Sequence, residues 1–184
     1  ITPSWIEEML IFAQREDLGA VGAKLYYPNG AIQHAGVIVG VRGVAGHSFH
    51  GHPGSYRGYM NRAVSVQNLS AVTAACMMVK KKAFVEAGSF NEGYAVAFND
   101  VDLCLRIGKA GYNIVFTPYC ECYHHESVTR GQDTESEEKM KRFAGEVNRF
   151  NQDWGSFLAK GDPYYNKNLS LDTDNFDDAD YKGL

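Results

Sequence analysis

Apolar positions recur along the chain with two periods. Trp5, Ile6, Met9, Leu10 and Phe12 fall at near-helical spacing and predict a helix over 3–15, opened by Thr2 as cap and Pro3 at the first helical position. Residues 19–27 and 31–41 read as strands, separated by the turn signal Pro28-Asn29-Gly30. Residues 42–63 are rich in Gly, His, Tyr and Arg, carry no period, and read as a long loop that is either functional or mobile. A β-like run over 64–80 ends in Cys76-Met77-Met78-Val79, and Lys80 to Gly88 reads as a short helix closed by glycine. A helix over 100–110 opens on Asp100 and Asp102 and stops at Gly111. Residues 112–124 alternate β-branched and aromatic side chains as a strand does. Over 135–150 glutamates come first and Lys and Arg follow, the order the helix dipole favours, with Met140, Phe143, Val147, Phe150 and Trp154 as the apolar stripe. The remaining residues read as a loose tail. Strands and helices intermixed in this way predict an α/β fold.

Composition narrows the class. The 184 residues are 45% hydrophobic and 22% charged, which excludes a disordered or collagen-like chain. Apolar runs stay under about ten residues, too short for the roughly 20 a transmembrane helix needs. The net charge is −4, with 18 basic and 22 acidic residues, and gives no reason to expect nucleic acid. That charge is local: residues 161–184 hold six Asp and two Lys, and residues 1–160 are balanced. The start at Ile1, directly on a helix cap and without Met or a basic leader, suggests a segment of something longer.

The cysteines read as ordinary core thiols. Cys76 sits in an apolar run expected to be a buried strand, and Cys104 lies between Leu103 and Leu105 on a helix. Cys120-Glu121-Cys122 is a C-x-C with no second pair, so zinc is not expected. Reduced thiols point to a reducing compartment.

Three groups carry candidate chemistry. Asn99-Asp100-Val101-Asp102 opens a helix. Either Asn99 or Asp100 is a cap, or one carboxylate is held rigidly in a cleft as a general base. Tyr123-His124-His125-Glu126 ends a strand and enters a polar loop with Arg130; it is either a polar strand end or a site for a divalent metal or a phosphate. Neighbouring strand side chains face opposite ways, so both histidines share a metal only if the strand breaks there. His47, His50 and His52 have a spacing that suits a metal, yet their loop is glycine-rich and contains no carboxylate.

Taken together, the motifs resemble a known family. In order they are Gly19-Ala20-Val21-Gly22-Ala23-Lys24-Leu25-Tyr26-Tyr27-Pro28-Asn29-Gly30, Ile32-Gln33-His34-Ala35-Gly36, Thr73-Ala74-Ala75-Cys76-Met77-Met78-Val79, Phe98-Asn99-Asp100-Val101-Asp102-Leu103-Cys104-Leu105-Arg106 and Tyr123-His124-His125-Glu126-Ser127. Asp162-Pro163-Tyr164-Tyr165-Asn166-Lys167-Asn168-Leu169-Ser170 closes the series. This order resembles the family 2 glycosyltransferases of GT-A fold, nearest their bacterial polysaccharide and rhamnosyl branch, over residues 1 to about 172. The resemblance implies a partial GT-A, Rossmann-like α/β domain whose nucleotide-binding half is missing. Residues 1–160 would be the acceptor-side portion and 161–184 an acidic extension.

The family also implies roles. Asp100 matches the base that deprotonates the acceptor hydroxyl in inverting members. Asn99 stands where the family often has Glu, and Asp102 matches a second acidic position that orients the helix start or the acceptor. His124, with His125 as fallback, matches the histidine that completes a Mn2+ or Mg2+ site, and Arg130 would fold over the diphosphate. The family's donor-side Asp-x-Asp is absent; Asp100-Val101-Asp102 and Asp172-Thr173-Asp174 have its letters in other contexts. The implied partners are a UDP- or dTDP-linked sugar donor and a glycan acceptor. The implied location is the cytoplasm, or the inner face of the membrane. The segment alone is expected to be inactive and to self-associate through its truncated edge. Two other readings stand beside this one: a metal-dependent hydrolase built on the loop histidines, and a non-catalytic glycan-binding module.

Overall fold

The computed structural model describes residues 2–125 and 136–179. In chain order its elements are α1 (Trp5–Ala13), β1 (Leu18–Tyr26), β2 (Ile32–His34), β3 (Val37–Val39), β4 (Ala45–His47), β5 (Gln67–Leu69), β6 (Met77–Val79), α2 (Lys81–Glu86), α3 (Asn99–Lys109), β7 (Asn113–Tyr123) and α4 (Glu137–Lys160). Short 3-10 turns lie at 41–43, 59–64 and 74–76.

β1 and β7 run parallel at the centre of the main sheet. The other edge of β1 is shared by β2 and β6, both antiparallel, and β5 closes the sheet beyond β7. Eight of the nine β1 residues are buried, as a strand covered on both faces must be. Its composition of Gly, Ala and Val follows from that crowding: a Cβ on Gly22 would sit 2.4 Å from Val72 Cβ. Met9 on α1 is buried on one face, beside Trp5 and Phe12, over Val21, Ala23, Leu25, Val115, Cys120 and Cys122. The opposite face carries the larger core, which takes in Val101, Leu103 and Ile107 of α3 and Phe150 and Trp154 of α4. The result is a mixed α/β sheet flanked by helices, consistent with a Rossmann-like domain.

The structure departs from the sequence expectations in six places. α1 starts at Trp5 with Ser4 as N-cap, and Thr2, expected as the cap, is bonded to Glu121 of β7. The run over 31–41 is broken at Gly36, whose φ of +104° favours glycine, so β2 joins the main sheet and β3 pairs with β4 in a small second one. The run over 64–80 yields β5, a 3-10 turn and β6, so Cys76 ends a turn rather than lying within a buried strand. The 42–63 segment is not a structureless loop: it contains β4, and fully buried Phe49 stacks on Phe176. α4 continues ten residues past the expected end at 150. The tail is not loose over 162–179. Asp162 is buried and accepts hydrogen bonds from Val39 N–H, Ser70 Oγ–H and Tyr164 N–H, fastening the segment to β3. In both loop and tail, aromatic residues scattered without a period find one another only in three dimensions.

Candidate functional site

A cleft of about 480 Å³ opens between the end of the main sheet and the second sheet. Its lining includes Tyr27, Gln33, Arg42, His47, His50 and His124. Gln33, on β2, organises it. His124 Nδ1 lies 2.8 Å from Gln33 Oε1, and His47 Nδ1 lies 2.9 Å from the Gln33 carbonyl oxygen. Both partners are acceptors, so each imidazole donates from Nδ1 and leaves Nε2 turned away from Gln33. β7 ends at Tyr123, and the His124 N–H donates to Tyr26 O, which fixes the histidine as the chain leaves the sheet. His125 is exposed beyond it. Arg130 lies outside the described residues.

Asp100 does not line this cleft but is bonded to its wall. Its Oδ2 accepts from the Ala74 N–H at 3.0 Å and its Oδ1 from the Val101 N–H at 2.8 Å. Thr73 and Ala75, which flank Ala74, both line the cleft. The half-buried carboxylate is thus tied to the cleft wall at the start of α3, where the helix dipole also favours negative charge. Neither Asn99 nor Asp100 is the N-cap. Phe98 takes that position, with φ +63° and its ring against Phe143 and Phe150. The aromatic contacts hold this left-handed backbone, uncommon for such a bulky residue.

Asp102 faces the other way. It is 2% exposed, and its carboxylate accepts from Trp154 Nε1–H at 2.9 Å and from Arg106 Nε and Nη2 at 2.9 and 2.7 Å. α4 also fixes the segment that leads into α3. Buried Glu146 accepts from the N–H groups of Val96 and Ala97, and Asp153 accepts from the Tyr94 hydroxyl. The position of Asp100 therefore depends on α4, more than 35 residues further along the chain.

The loop histidines do not converge. His47 is on Gln33, His50 Nε2 meets the Tyr27 hydroxyl at 2.7 Å, and His52 Nε2 reaches Asn175 Oδ1 while its ring stacks on Tyr56. Among the described residues, Cys76, Cys120 and Cys122 are the one set of three or more His, Cys, Asp or Glu whose donor atoms come together. The cleft itself offers its imidazoles singly.

Sequence reasoning missed several contributors. Gln33 and His34 lie within the motif Ile32-Gln33-His34-Ala35-Gly36, to which no site role attaches. Arg42 adopts φ +51° at the cleft wall and lies 3.8 Å from Asp174, a tail carboxylate that also lines the cleft. Positive φ at such a residue is a local strain that the fold must impose. His34 is fully buried beside His47, with ring centroids 4.8 Å apart, and burial holds its pKa well below the ordinary value. The Cys104 thiol, also buried, is pushed up to about 12 by burial and contacts Val72 O and Met77 Sδ. This agrees with the expectation of an inert core thiol.

Known proteins are similar to this chain in sequence. It is 49% identical over 177 residues to a Sinorhizobium fredii protein named "Uncharacterized protein y4gI", covering 96% of this chain and 19% of that protein. It is 37% identical over 179 residues to the O-antigen biosynthesis protein RfbC of Myxococcus xanthus, covering 93% of this chain and 13% of RfbC. A stretch of 65 residues is 38% identical to an N-acetylglucosaminyl-diphospho-decaprenol L-rhamnosyltransferase of Mycobacterium tuberculosis, covering 35% of this chain and 21% of that enzyme. No family model matches. The chain thus spans under a fifth of the two relatives that match it nearly end to end. Among the described residues, no helix is long and apolar enough to cross a membrane.

Proposed function

We propose that this chain is the acceptor-side part of an inverting, family 2, GT-A-fold glycosyltransferase. The parent moves a sugar from a UDP- or dTDP-linked donor to a glycan acceptor in cell-surface polysaccharide synthesis, at the cytoplasmic side of the membrane. The observation that carries this reading is Asp100, a carboxylate anchored by two backbone N–H groups, one of them from the wall of a cleft that also holds an oriented histidine. The names of RfbC and of the mycobacterial rhamnosyltransferase support sugar transfer.

In this reading Asp100 takes the proton of the acceptor hydroxyl while that oxygen attacks the anomeric carbon. The bond from that carbon to the diphosphate breaks on the opposite face, and configuration inverts. Asn99 beside it removes a like charge from the family's usual acidic pair. Asp102 holds the start of α3 through Trp154 and Arg106. His124, its Nε2 turned away from Gln33, is the ligand assigned to Mn2+ or Mg2+, an ion that would neutralise the leaving diphosphate. Such ions prefer oxygen ligands. The described residues bring no carboxylate trio together, so we place the remaining ligands in the donor-binding half of the longer protein. Arg130 is assigned to the diphosphate.

The test is Asp100→Asn in the full-length parent, assayed for transfer from the nucleotide sugar. Loss of a general base lowers turnover by about 10²–10⁴-fold with donor binding retained. Transfer within tenfold of the unsubstituted protein refutes the assignment and favours a glycan-binding module.

A further inference from the structure

The fold gathers three cysteines that the sequence scatters. Cys120 and Cys122 are alternate residues of β7 and so point to the same face of the sheet. The pairing of β7 with β1 skips between Thr117 and Glu121, and Cys120 lies within that irregularity. Cys76 arrives from another element, at the end of the 74–76 turn where the chain enters β6, whose Met77 pairs with Gly22 of β1. The three Sγ atoms all lie within 4.8 Å of one another.

We propose that Cys76, Cys120 and Cys122 form a trigonal thiolate site for a soft d10 cation, beneath α1. Three sulfurs around one ion at metal–sulfur distances of about 2.3 Å stand about 4 Å apart, so rotamer-scale adjustment of the observed trio closes the site. The donor set selects the metal class. Thiolates favour soft ions such as Cu+, whereas Mg2+ and Mn2+ prefer carboxylate, carbonyl and water. The surroundings agree, because the sulfurs belong to the apolar cluster that contains Met9, Leu25, Val115 and Trp5. Among the described residues, no fourth His, Cys, Asp or Glu joins the trio, which favours three-coordination. Access is built in: Cys120 and Cys122 are buried, while Cys76 is half-exposed. The site belongs to the α1 face of the sheet, and none of its residues lines the cleft near Asp100. It is therefore separate from the cleft, although Cys76 ends the turn whose Ala74 N–H holds Asp100.

Cd2+ is the probe, because cadmium–thiolate bonds absorb in the ultraviolet. The reduced chain, titrated under a phosphine reductant, is expected to develop this band to saturation at one Cd2+ per chain. Excess Mg2+ leaves it unchanged. Cys76→Ser, at the half-exposed position, weakens binding by about 100-fold or more, beyond the 10–100-fold typical of lost outer-shell partners. Cys104→Ala, which removes a thiol outside the trio, leaves binding intact. Circular dichroism verifies that each variant is folded. Absence of the band, displacement by Mg2+, or equal loss in Cys104→Ala and Cys76→Ser overturns the proposal.

Discussion

Asp102→Ala separates the two aspartates at the start of α3. The Asp102 carboxylate receives three hydrogen bonds, from the buried Trp154 indole and twice from Arg106, whose side chain is only 22% exposed. Removing it leaves the indole N–H unpaired at a cost of about 1–3 kcal/mol. It also strips a largely buried guanidinium of its carboxylate, and breaking such a pair from one side costs about 3–5 kcal/mol. The two effects share one site and are not additive, and Arg106 keeps its bond to Ala87 O. We therefore expect a total loss of about 3–5 kcal/mol. Asp102→Asn keeps one acceptor oxygen and should lose about half as much. Urea unfolding followed by tryptophan fluorescence reads the difference. With a slope of roughly 2 kcal/mol per molar, the Ala variant's midpoint falls by about 1.5–2.5 M. If Asp102→Ala is too unstable to purify, the Asn variant and Trp154→Phe supply the graded series. A loss below about 1 kcal/mol in Asp102→Ala would refute the reasoning, because the carboxylate would then not be what joins α3 to α4.

Two further outcomes follow from buried groups. His34 is neutral in the folded protein, since burial chiefly, and His47 secondarily, lower its pKa well below 6.5. The unfolded chain takes up that proton as pH falls through about 6.5 and the folded chain does not. Stability therefore declines below that pH by up to about 1.4 kcal/mol per unit. Unfolding measured from pH 7 to 5 should show this slope and His34→Gln should flatten it; an unchanged slope in the variant rejects His34 as its source. Gly22→Ala places a methyl 2.4 Å from Val72 Cβ in a strand buried on both faces, so overpacking should cost about 1–3 kcal/mol. Thermal melting reads this, and pairing with Val72→Ala should recover part of the loss.

Periodicity along the chain determined the elements whose neighbours in sequence are their neighbours in space. α1, α3 and the end of β7 are legible because their apolar residues recur at a fixed period, and β1 because it is a near-continuous run of small apolar residues, buried on both faces. The acidic start of α3 and the histidine at the end of β7 were visible for the same reason: element ends concentrate unsatisfied backbone groups and the polar residues that meet them. Tertiary structure alone decided the rest. Spacing alone leaves Asp100 and Asp102 as two acids at one helix start, to which only the resemblance gives different roles, but a helix turns residues two apart to different sides. One is tied to the cleft wall by Ala74 and the other is locked on Trp154 and Arg106. Gln33 orients His47 and His124 from 14 and 91 residues away, and Asp162 fastens the tail from 123 residues beyond Val39. Cys76 meets Cys120 and Cys122 because β6 and β7 both pair with β1. No local pattern encodes such meetings, because they arise from which strand edges pair and how the chain returns to them.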